Sequence, residues 1–180
     1  MTFNQNIYHR RSIRLQNYDY SQHGAYFVTI CTQNRACLFG QICNGKMNLN
    51  KAGQMIEQWY IELENKFQDI KCGDFICMPN HVHFIIVNVG IDPRCVCTED
   101  HQTFKGNALS KVVQWFKTMT TNSYIHGVKN ENWTPFYKRL WQRNYYEHII
   151  RHDADLERIQ QYIQNNPMRW QQDTLHTAIF

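Results

Sequence analysis

The stretch "CGDFICMPNHVHFIIVNV", residues 72–89, constrains the fold more than any other part of the chain. Two runs rich in Ile, Val, Phe and Cys, 72–78 and 81–89, have strand composition and meet at Pro79-Asn80. Proline removes a backbone donor there, which marks a strand boundary or a sheet edge. Side chains alternate across a strand, so His81 and His83 must share one face while Val82 and Phe84 point to the other. Two adjacent imidazoles can hold a divalent metal or simply line a solvated face, and the strand pattern alone leaves both open.

The rest of the chain supplies partners for these strands. Residues 25–33, "AYFVTICTQ", read as a first strand, and Asn44-Gly45 between two short extended runs signals a hairpin turn. Asn50 is placed to cap a helix over residues 51–66, whose apolar stripe is Met55, Ile56, Trp59, Leu63 and Phe67. Leu109, Val112, Val113, Phe116 and Met119 mark a second amphipathic helix, after a long loop over residues 90–107. Residues 140–152, "LWQRNYYEHIIRH", read as one extended element. A third helix follows, with Asp153 or Asp155 as its cap and Pro167 as its stop. This order predicts an α+β sandwich with helices packed on one face of an antiparallel sheet. At 180 residues the chain fits a single domain, 1–180, with a basic N-terminal arm over about 1–20. It is too short for an eightfold strand-helix barrel of about 250 residues, which excludes the other common home of His-x-His strands. No apolar stretch approaches the roughly 18 to 20 residues of a membrane span, and the arginines near the start precede no apolar segment of an export signal. Seven cysteines, an odd number, build no disulfide framework, and Cys95 and Cys97 lack a second ligand pair, so a reducing cytoplasm is the expected setting.

The net charge of +4 is modest, but its distribution is uneven. Arg10, Arg11 and Arg14 cluster in the arm, Lys138, Arg139, Arg143 and Arg151 alternate with aromatics, and Lys111 and Lys117 flank the stripe of the second helix. Basic groups interleaved with Tyr and Trp suit phosphate contacts and base stacking, although a plain solvated surface has the same pattern.

On the third helix Tyr162 and Asn166 lie one turn apart, beside the apolar side formed by Leu156, Ile159 and Ile163. Alone, the two are a core-edge tyrosine and a helix-ending asparagine. Beside His81 and His83 they acquire chemical sense: a hard divalent ion needs more than two ligands, Asn166 can add an oxygen, and a phosphodiester polarised by the ion would then lie next to the Tyr162 phenol.

The order "FICMPNHVHFIIV", "LSKVVQWFKTMTTNSY", "LWQRNYYEHIIR", "IQQYIQNNPMRW" resembles the single-tyrosine HUH transposases of the insertion-sequence 200/605 type, and most of all their REP-associated tyrosine transposase branch, over about residues 10–170. The resemblance implies a ferredoxin-like (RRM-like) fold that binds single-stranded or hairpin DNA. It further implies DNA nicking and rejoining with Mg²⁺ or Mn²⁺, without ATP, through a covalent 5′-phosphotyrosine intermediate. His81 and His83 match the metal ligands of the HUH motif, Tyr162 matches the nucleophile, and Asn166 falls where relatives place a polar residue one turn later, as a third ligand. Arg10, Arg11, Arg14, Lys111, Lys117, Arg139 and Arg143 are the expected DNA contacts. Only ten residues follow Trp170, so hairpin recognition is expected to rest on the arm and the second helix. Glu147 and His148 lie in a family-typical segment with no role assigned, and both a monomer and a homodimer stay open. Two other readings compete: an inactive or domesticated nucleic-acid-binding protein on the same fold, and a metal phosphohydrolase in which Tyr162 is a bystander.

Overall fold

A computed structural model of the chain describes residues 19–90 and 107–176. Arg10, Arg11 and Arg14, the cysteines at 95 and 97, and most of the predicted loop lie outside the described residues.

Among the described residues, six strands and three α-helices follow in the order β1 (Gly24–Cys31), β2 (Gly40–Cys43), β3 (Lys46–Leu49), α1 (Lys51–Lys66), β4 (Ile70–Cys77), β5 (His81–Asn88), α2 (Leu109–Asn130), β6 (Tyr146–Ile150) and α3 (Asp153–Asn165). The main sheet runs β4-β5-β1-β6, antiparallel throughout, while β2 and β3 form a separate hairpin. A β1-α1-β4-β5-α2-β6 path with β1 and β5 at the centre is the ferredoxin-like topology. Local chemistry explains its pieces. Asn44 and Gly45 both take positive φ, 52° and 70°, as a two-residue hairpin turn requires. The Asn50 side chain accepts from the Gly53 amide at 2.9 Å and caps α1 where the sequence places it.

The central strands are buried on both faces. Tyr26, Val28 and Ile30 of β1 and Val82, Phe84 and Ile86 of β5 pack with Ile56 and Leu63 of α1 and Val112 and Phe116 of α2. On the opposite face Phe27, Ile85 and Val87 meet Ile159 and Ile163 of α3. The expected α+β sandwich is therefore present, with a correction: α1 and α2 cover one face and α3 the other. The cause is the Ile85-Ile86-Val87 run of β5, which puts apolar side chains on both faces, so both need cover. A polar clamp seats α3. Gln160 and Gln164, one turn apart, donate to the two oxygens of Asp74 at 2.6 and 3.3 Å, where the β4 register slips between Cys72 and Phe75.

Two local expectations are corrected. Residues 140–152 are not one extended element: only Tyr146–Ile150 is strand, and Trp141 makes an isolated bridge to Thr32. The intervening backbone curls around Lys117, whose ammonium donates to the carbonyls of Gln142, Arg143 and Asn144 at 2.9, 3.2 and 3.2 Å. The cap of α3 is His152, whose Nδ1 accepts from the Asp155 amide at 3.1 Å, while Asp153 and Asp155 fall in the first turn, where the helix dipole favours them. Pro167 does end the helix and opens a 3-10 segment, Pro167–Gln172. Among the described residues no helix is long and apolar enough to cross a membrane.

Candidate functional site

The turn at Pro79-Asn80 starts β5 directly on a histidine. In the β1–β5 ladder His81 stands opposite Cys31 and His83 opposite Thr29, both on the face that α3 covers. The two imidazole centroids are 4.5 Å apart. Each ring is held through Nδ1: His83 pairs with the Thr29 hydroxyl at 2.7 Å and His81 with the Asn80 Oδ1 at 2.7 Å. Both Nε2 atoms therefore face the space under α3.

Into that space α3 lowers Tyr162. Its hydroxyl lies 3.3 Å from His83 Nε2, and its ring stands edge-on to Phe27 with centroids 6.0 Å apart. Asn166, buried at the C-cap, adjoins both His81 and Tyr162, and its Oδ1 is buried without a hydrogen-bond partner. The 3-10 segment then buries Trp170, with its ring centroid 6.0 Å from that of His81, and delivers a residue that sequence reasoning missed. Asp173 Oδ2 lies 3.7 Å from His81 Nε2, and single ligand atoms of His81, His83 and Asp173 all fall within 4.8 Å of one another. No spacing signal could have revealed Asp173, because Pro167 breaks the helical period between it and Asn166.

The electrostatics of this cluster point one way. Burial, reinforced by the nearby Arg35 guanidinium, pulls His81 down to about 3, and burial beside His81 holds His83 well below the usual imidazole range. Both rings are neutral at pH 7. His81 Nε2 and Asp173 Oδ2 thus oppose each other as two buried acceptors, and neither has a hydrogen-bond partner. Buried acceptors aimed at one another repel unless a proton or cation lies between them. Two imidazole nitrogens, a carboxylate oxygen and an amide oxygen form a donor set that suits a divalent ion such as Mg²⁺ or Mn²⁺. Burial and the Asp173 carboxylate raise the Tyr162 phenol above its ordinary value, so it is protonated at neutral pH.

The basic residues divide. Arg139 and Arg143 are exposed and, with Gln33, Asn34 and Lys138, line an open groove of about 640 Å³. Its floor residue Gln142 is tied to the end of β1, through its amide to the Cys31 carbonyl at 2.9 Å and its side chain to the Thr32 carbonyl at 3.1 Å. The groove therefore lies at the histidine end of the sheet. Lys111 is exposed but bonds Asn107 Oδ1 at 2.9 Å and does not line this groove. All three protons of Lys117 go to backbone carbonyls, and its ammonium lies 5.5 Å from the Tyr145 ring centroid. His148 pairs with Asp155 at 2.6 Å and so joins β6 to α3.

The four-stranded sheet and its helices share the fold of a REP-associated tyrosine transposase. The solved structure of a REP-associated tyrosine transposase bound to a REP hairpin superposes with a TM-score of 0.56, covering 87% of this chain and 73% of that one at 19% identity. The chain belongs to one family with an uncharacterized protein of Haemophilus influenzae (strain Rd), 38% identical over an alignment of 188 residues that spans 97% of each. No family model matches the chain.

Proposed function

We propose that the protein is a metal-dependent strand transferase that nicks single-stranded DNA at a hairpin and keeps one end as a phosphotyrosine ester. One observation carries this reading: a phenol hydroxyl 3.3 Å from His83 Nε2, at the rim of a buried ring of unpartnered nitrogen and oxygen acceptors. The likeness to a transposase bound to a REP hairpin supports hairpin DNA as the substrate.

His81, His83 and Asp173 would hold Mg²⁺ or Mn²⁺, with Asn166 at the edge of the set. A divalent ion bound there supplies positive charge to the scissile phosphate, neutralising its oxygens as the nucleophile approaches. Tyr162 Oη attacks phosphorus; the Oη–P bond forms as the P–O3′ bond breaks, the phenolic proton passes to water, and the departing oxygen takes up a proton as a 3′ hydroxyl. The 5′ end stays on Tyr162. A later 3′ hydroxyl reverses the exchange, and no ATP is needed because the ester conserves the bond. Arg139 and Arg143 contact the backbone phosphates in the groove, Tyr137 offers a stacking face, and Arg10, Arg11 and Arg14 of the arm add further phosphate contacts, whereas Lys111, bonded to Asn107 at the Asn88 end of the sheet, lies away from the groove. Lys117 acts indirectly by fixing the Gln142–Asn144 backbone that forms part of the groove. One copy of the chain holds the tyrosine and the histidines, so the chemistry needs no partner subunit, and it is suited to the cytoplasm, where DNA is met.

Calorimetric titration with Mn²⁺ tests the metal half of the proposal. Wild type should bind, and the His81→Ala, His83→Ala double variant should not; equal affinity in the two would remove the site.

A further inference from the structure

Asn80, between the strand-breaking proline and the first histidine, is fully buried and bonded on both sides of its amide. Its Nδ2 reaches the carbonyls of Leu175 at 2.9 Å and Arg35 at 3.2 Å. Carbonyls only accept, so this side of the amide must be the nitrogen and the other side, 2.7 Å from His81 Nδ1, must be the oxygen. An amide oxygen also only accepts. Nδ1 of His81 therefore carries a proton and donates it to Asn80, and Nε2 is the nitrogen left to face the site.

The donating side of the same amide reaches the segment that carries Asp173. Asp173 Oδ1 accepts from the Leu175 amide at 2.8 Å, so the turn containing Asp173 is closed on Leu175, and the Leu175 carbonyl is held by Asn80. Arg35 adds a second tie, donating to the Thr174 carbonyl at 2.8 Å. One side chain thus fixes which nitrogen of His81 faces the site and where the opposing carboxylate sits.

We propose that Asn80 is a positioning residue that couples the tautomer of His81 to the docking of the 173–176 turn, so that the two ligand-bearing elements are set together. Its effect on metal affinity rests on the metal-dependent reading above, but its effect on the apo protein does not. Losing a partner of this kind typically lowers metal affinity by about 10- to 100-fold.

The test uses the full chain with Asn80→Ala and Asn80→Asp. In metal-free wild type, long-range proton–nitrogen NMR spectra should show His81 protonated on Nδ1. In Asn80→Ala the ring should move to the Nε2-protonated form, amide exchange at Leu175 should accelerate, and Mn²⁺ affinity should fall by about tenfold or more. Asn80→Asp keeps an acceptor for His81 but deletes both donors, so it should keep the tautomer while Leu175 exchange still accelerates. An unchanged tautomer and unchanged Leu175 protection in Asn80→Ala would overturn the coupling. If that variant does not fold, wild-type protection at Leu175 in Asn80→Asp would do the same. Metal affinity that survives in the double-histidine variant would end the metal reading but leave the tautomer and exchange results to decide the role of Asn80.

Discussion

Tyr162 and His83 share a hydrogen bond at the atom where a metal would have to bind: the phenol hydroxyl is 3.3 Å from Nε2, while Nδ1 is already engaged by Thr29. The tyrosine and an ion therefore compete for one lone pair. Tyr162→Phe removes the competitor, and a hydrogen bond of this kind is worth about 0.5–1.5 kcal/mol, so Mn²⁺ should bind roughly 2- to 10-fold more tightly to the variant. Calorimetry decides it. Weaker binding would make Tyr162 itself a ligand.

Acid should unfold the metal-free protein early. His81 is pulled by burial to about 3 from an ordinary 6.5. Between those values the unfolded chain binds more protons than the folded one, so stability rises with pH across the window and is lost as pH falls below about 6.5. At about 1.4 kcal/mol per pH unit, the full contribution is on the order of 5 kcal/mol. Urea midpoints measured in EDTA between pH 7 and 5, above most carboxylate titrations, should fall in wild type and fall less in His81→Gln. Equal slopes would show that the ring is not buried neutral.

The helix that carries the tyrosine is expected to loosen when its polar clamp is removed. Asp74→Ala leaves Gln160 and Gln164 without their acceptor, at a cost of about 1–2 kcal/mol. Hydrogen exchange should rise in α3 and stay level in α1, which packs on the other face. Mn²⁺ affinity should change little. A uniform rise across both helices would mean that α3 does not open separately.

Much of this architecture was legible in the sequence, for reasons tied to particular residues. Asn44-Gly45 and Asn50 act through their own neighbours, so local chemistry located the hairpin and the start of α1. The alternation in "HVHF" placed both imidazoles on one face because strand geometry allows nothing else. Long-range ties were not legible. The curl at Gln142–Asn144 depends on an ammonium from α2, and residues 140–152 look extended without it. The capping role of His152 was hidden by two nearby aspartates with better capping propensity. Asp173 reaches His81 only because a 3-10 segment folds back beyond Pro167, and no periodicity reports that return. Likewise, the second helical face follows from the apolar run Ile85-Ile86-Val87 of β5, a pattern that names the need for cover without naming the helix that supplies it.

DNA affinity should depend on salt through the groove. Replacing Arg139 and Arg143 with alanine removes two exposed cations, and the slope of log affinity against log salt for a single-stranded or hairpin probe should become shallower by about 1.4, or 0.7 per contact. Fluorescence anisotropy at several salt concentrations measures it. An unchanged slope would remove the groove from the DNA path.

The central claim is that Tyr162 is the nucleophile, and the direct measurement is mass spectrometry of the adduct formed with a cleavable DNA hairpin in Mg²⁺ or Mn²⁺. The expected result is a nucleotide on the peptide containing Tyr162, carried through its 5′ phosphate, with a free 3′ hydroxyl on the released strand. Tyr162→Phe, which keeps the ring packed against Phe27, should bind the hairpin and yield no adduct. A nucleotide on Tyr145 or Tyr146, or cleavage that persists in the Phe variant, would contradict the assignment of α3 as the catalytic element.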